Sequence, residues 1–92
     1  MYNILPYTQE QALMHNVIIY PSRLKNKKID IYNKDGYYIA SVGGMGYKDY
    51  PTYVLEDGEE YANTRRELYQ IRHRKNILRQ YSPAWWSNAL LW

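Results

Sequence analysis

The feature that most constrains this chain is the pair of alternating runs on either side of Asp35-Gly36. Lys28 to Asn33 places Ile29 and Ile31 on one face of an extended segment and Asp30 and Tyr32 on the other. Asp-Gly is the dipeptide of tight turns, because glycine accepts the positive φ that a hairpin corner requires. A second extended run, Tyr37 to Val42, follows it, and Gly43, Gly44 and Gly46 end that run. The spacing predicts a β-hairpin with one isoleucine face that needs cover.

The remaining segments supply helices. Thr8 with Gln11 three residues on is a capping-box pattern and predicts a short helix over 9–15. Val17 to Tyr20 is a β-favouring run stopped by Pro21. Residues 47–58 mix turn signals with a single helical turn after Pro51. From Glu59 to about Gln80 the pattern is helical, with acids in the first turn and bases later, as the helix dipole prefers. Ser82 as N-cap and Pro83 at the first helical position open a last short helix carrying Trp85, Trp86, Leu90 and Leu91 to Trp92. The expected class is α+β, with a β-hairpin or small antiparallel sheet packed against two C-terminal helices. A chain of 92 residues is expected to make a single domain, with 1–27 as an N-terminal extension and 28–92 as its core.

Composition excludes several function classes. With 46% hydrophobic and 16% aromatic residues the chain is not of the disordered type. The absence of cysteine removes disulfides, thiol catalysis and thiolate metal sites, and leans towards a reducing compartment. The N-terminus lacks a basic, then apolar, leader pattern, and no stretch approaches the roughly 20 apolar residues of a membrane span, so an intracellular setting is expected. No cofactor or metal site is expected either: His15 and His73 lie on different elements, and His73 sits between Arg72 and Arg74, whose charge disfavours a cation. The glycines after the hairpin lack the third glycine and following helix of a dinucleotide fingerprint and the Gly-Lys-Ser/Thr of a P-loop. No catalytic constellation emerges, and the chain is read as a non-enzyme.

Charge runs basic, acidic, basic along the chain: residues 23–28, 49–60 and 65–79. On a helical wheel, Tyr61, Leu68, Ile71 and Leu78 share a broad face, with Arg65, Arg72 and Arg79 near its edge. Two uses compete for these bases. Arg65 and Arg72 are expected to be half-buried anchors, with Arg72 paired to Asp49 of the acidic block. Arg66, Arg74, Lys75 and Arg79 are then candidate phosphate contacts of a nucleic-acid-binding helix. Twelve Tyr, three Trp and no Phe offer large rings with polar handles, and Trp85, Trp86 and Trp92 are a candidate protein interface or, equally, part of a small core.

Several of these pieces together resemble a family of short uncharacterised proteins encoded by large DNA viruses of algae and protists. They are Lys28-Ile29, Asp35-Gly36, Gly46 to Tyr50, Arg65-Arg66, Ile71 to Lys75, Trp86, and Leu90-Leu91-Trp92. The likeness covers residues 28–92, and the family pattern has a glycine-containing loop where this chain has Tyr81-Ser82-Pro83-Ala84. The resemblance implies a viral origin and a compact domain, but no activity. The expected function is therefore a viral structural or interaction module that docks on a protein partner, in the host cell or the virion. The alternative is non-sequence-specific nucleic-acid binding through residues 65–79.

Overall fold

The computed structural model describes residues 1–92 and shows an α+β protein built from two compact units, residues 1–47 and 48–92. No helix is long and apolar enough to cross a membrane.

The first unit carries the sheet. Helix α1 (Pro6–Met14) opens with Pro6 in its first turn after the extended residue Leu5, three residues earlier than the capping box predicts. Thr8, the expected cap, lies inside the helix, fully buried, and its hydroxyl has no hydrogen-bond partner. The other end closes with a Schellman pattern: Val17 N–H donates to the Ala12 carbonyl and Asn16 N–H to that of Leu13, with Asn16 at φ 58°. This leads directly into β1 (Ile18–Pro21), which pairs antiparallel with β2 (Lys27–Tyr32). The segment read as an N-terminal extension is thus integral to the sheet. β2 pairs in turn with β3 (Tyr38–Gly44), and the order is β1-β2-β3.

The hairpin forms where expected, by a different turn. Asp35 does not adopt positive φ, while Gly36 does, at 88°. Gly36 N–H bonds to the Asn33 carbonyl, Asn33 N–H to that of Tyr37, and Asn33 Oδ1 accepts from Asp35 and Tyr37 N–H. The loop is therefore the three residues Lys34, Asp35 and Gly36, a turn followed by a left-handed residue. A register irregularity at Ile31/Tyr32 absorbs the odd count.

Alternation puts Ile19, Ile29, Ile31 and Val42 on the buried face. The opposite face holds Asp30, only 2% exposed. Asp30 Oδ1 accepts from Ser22 Oγ at 2.5 Å and Ser41 Oγ at 2.6 Å, and Oδ2 accepts from Arg23 N–H at 3.1 Å and Arg23 Nε at 3.4 Å. Beside it, Tyr20, Tyr32 and Tyr38 run edge-to-face across the three strands, with ring centroids 5.7 and 5.8 Å apart.

The second unit is helical. Asp49 caps α2 (Tyr50–Asp57), a full helix where the sequence suggests one turn; its carboxylate accepts from Thr52 N–H and Thr52 Oγ1. Gly58, at φ 89°, turns the chain into α3 (Glu59–Arg72). The predicted long helix breaks at His73, and a single turn, α4 (Arg74–Ile77), continues it. Tyr81, at φ 65°, occupies a conformation that favours glycine. Ser82 then caps α5 (Pro83–Leu91), accepting from Trp85 N–H as the sequence predicts.

The Asp30 cluster sets an acid limit on stability. Burial alone would raise this carboxyl, but the bonds from Ser22, Ser41 and Arg23 outweigh it and hold the group below its ordinary value. Such a group stabilises the fold fully above its unfolded value, near pH ~4, and ceases to do so as pH falls through its lower folded value. Asp30→Asn should cost about 1–3 kcal/mol at neutral pH. Chemical unfolding followed from pH 7 to 2 should show the variant losing less of its remaining stability below pH ~4 than wild type; parallel curves would contradict the assignment.

Candidate functional site

The basic helix is where structure and sequence reading part most clearly. The inward face of α3 is not the aliphatic one. Ala62 is buried and Arg66, Tyr69 and His73 are half-buried, at the four-three-four spacing of one helical face. Leu68 and Ile71 lie exposed on another face, as does Leu78 beyond α4. The wheel drawn on aliphatic residues is rotated from the true packing face, because arginine and aromatic side chains do the packing here.

The arginines exchange their expected roles accordingly. Arg66, a candidate phosphate contact, is an anchor: its guanidinium lies 4.0 Å from the Tyr50 ring centroid. It also donates to the Trp92 carbonyl oxygen at 3.4 Å and to Asn63 Oδ1 at 3.3 Å. Tyr50 Oη donates to that same Asn63 oxygen at 3.0 Å, so α2, α3 and the end of the chain meet on one side chain. Arg72, expected to be buried and paired with Asp49, is exposed in the last turn of α3 and forms no ion pair. Asp49 is buried, as an anchor should be, with its carboxylate directed to the start of α2. Arg65 is half-buried, its guanidinium 5.5 Å from the Tyr53 ring centroid. In the acidic block, Glu56 and Asp57 pair with Lys48, at 3.0 and 3.4 Å.

The tryptophans pack within this unit. Trp92 stacks on Tyr69 at 4.2 Å, nearly parallel. Trp85 and Trp86 meet edge-to-face at 4.9 Å, and Tyr81 lies against both. Trp86 is buried, and Trp85 and Trp92 are half-buried.

A concavity of about 450 Å³ opens at the break between α3 and α4. Ile71, Ile77 and Leu78 give it an apolar lining, Glu67 and Arg74 stand in its wall, and the Gln70–Asn88 hydrogen bond, 3.2 Å, closes it towards α5. Ile71 is 65% exposed and Leu78 73%. Arg72, Arg74, Lys75 and Arg79, all exposed and outside any ion pair, lie along the same stretch of chain. Sequence reasoning names these residues singly; the helix break that gathers them carries no proline or glycine to announce it. No group of three or more His, Cys, Asp or Glu side chains is placed to hold a metal ion.

The exchange of arginine roles is measurable. Arg72→Ala should leave stability within about 0.5 kcal/mol of wild type, as for other exposed positions. Arg66→Ala removes a ring contact and two hydrogen bonds and should cost about 1–3 kcal/mol. Thermal melts of the two variants should rank them in that order; the reverse order would restore Arg72 as the anchor. Comparison with known proteins brings no relative to this geometry: no family model, no curated protein and no solved structure matches the chain.

Proposed function

We propose that this chain is a non-enzymatic interaction module that docks on a protein partner through the concavity between α3, α4 and α5. The observation that carries the reading is the exposure of Ile71 and Leu78 around that concavity, in a unit whose buried large side chains include Trp86, Leu90 and Leu91. Clustered exposed aliphatic groups beside a concave surface are characteristic of sites that another chain covers. A viral origin, with action in the infected host cell or the virion, belongs to the same proposal and rests on the motif resemblance over residues 28–92.

Nucleic-acid binding is the second reading, favoured by the lack of ion pairs at Arg74, Lys75 and Arg79. Arg66 supports it less, since its guanidinium is engaged within the unit. A protein that neutralises phosphates loses affinity steeply with salt, and each phosphate contact removed lowers the slope of log affinity against log salt by roughly one.

A photo-crosslinking side chain placed at Leu78, with Lys34 as a control position, separates the readings in native extracts. The docking reading expects one stoichiometric protein adduct from position 78, none from 34, and its loss on Ile71→Asp with melting unchanged. The nucleic-acid reading expects salt-sensitive binding to generic single and double strands, weakened by Arg74→Ala and Lys75→Ala but not by Ile71→Asp. Absence of a protein adduct at position 78 refutes docking at this site.

A further inference from the structure

We infer that the occupant of the α3–α4–α5 concavity is an acidic amphipathic helix of a protein partner, an inference that rests on the docking reading above. Charge selects the sign. Residues 72–79 hold Arg72, Arg74, Lys75 and Arg79 with no acid among them, and Glu67 is the one acid in the concavity wall. None of these four cations is paired, so each keeps its field for a partner. Of the four, Arg74 lines the concavity itself; a neutral apolar partner would strip water from it without replacement, and a basic one would be repelled by all four. Carboxylates flanking an apolar stripe meet both demands.

Shape and backbone chemistry select the helix. The lining residues come from α3, α4, the residue just after α4, and α5, so their N–H and C=O groups are engaged in helical bonding. Such walls offer no strand edge to an extended peptide, which needs main-chain partners. A helix satisfies its own backbone and brings only side chains, spaced at i, i+3 or i+4, and i+7. Ile71, Ile77 and Leu78 provide the apolar floor for those side chains. A nucleic acid would match the cations but leave this floor uncovered, and a membrane surface would match both without needing a concavity.

The test uses the full chain and synthetic helical peptides of about five turns, titrated by fluorescence anisotropy. One peptide has a leucine stripe flanked by glutamate; a second has lysine for each glutamate; a third keeps the glutamates and has serine for each leucine. Single-stranded DNA and vesicles of mixed neutral and anionic lipid complete the set. The acidic amphipathic peptide should bind at least tenfold more tightly than either altered peptide. Ile71→Asp should weaken that binding at least tenfold. The double variant Arg74→Glu with Lys75→Glu should reverse the preference, favouring the lysine peptide; these exposed positions leave the unit's packing intact, so the reversal is readable even if Ile71→Asp unfolds. Equal binding of the acidic and lysine peptides overturns the inferred charge while the adduct at position 78 still upholds docking. Binding of no peptide alongside that adduct overturns the helix alone. Ile71-dependent binding to DNA or vesicles but to no peptide, with no protein adduct, overturns the inference and the docking reading together.

Discussion

The first unit depends on one buried carboxylate. Asp30 sits on the central strand and takes hydrogen bonds from Ser22, just after β1, and Ser41, on β3, so the three strands are tied through one residue. A sheet with a period of two is vulnerable to a one-residue slip, which would exchange its faces. Here a slip would move Asp30 onto the side of Ile29 and Ile31 and remove it from its hydroxyl donors, exposing a charge to apolar surroundings without compensation. The isoleucines supply the drive to bury a face, and Asp30 determines which face it is.

The second unit adds rings and two guanidiniums to the aliphatic packing of Leu90 and Leu91. Arg66 over Tyr50, Trp92 over Tyr69 and Arg65 over Tyr53 occupy places where a larger protein would put leucine and isoleucine. Amphipathic side chains suit a small unit, in which few positions are wholly removed from water, because each contributes apolar area while its polar tip finds a partner at the margin. The aliphatic residues of α3 are thereby released to the outside, and the concavity is a product of that substitution.

Much of the fold was legible. The α+β class, the hairpin and the Ser82-Pro83 start of α5 follow from local chemistry, whose partners lie within a few residues. What was not legible depends on distant residues. The anchoring role of Arg66 needs Tyr50 and Trp92, and a helical wheel that weighs aliphatic side chains above arginine and tyrosine assigns the role to Arg72 instead. Helix α1 was misplaced because Thr8–Gln11 resembles a cap, whereas Pro6 marks the actual start. The break at His73 has no breaker residue, so the site it creates could not be drawn from the sequence even though Ile71, Arg74 and Leu78 were each in view.

Helix α4 has a consequence for the kinetics of any encounter. A single turn of four residues, Arg74–Ile77, has no stable helical state of its own, since one turn fixes many dihedral angles for few hydrogen bonds. Amides in such a turn should exchange with solvent through small local openings, below the free energy of global unfolding. One wall of the concavity is therefore a segment that reorganises at low cost, and a ligand would find a surface that adjusts to it. Affinity gained by such fitting is offset by ordering, which shortens residence and favours partners that come and go over partners that stay.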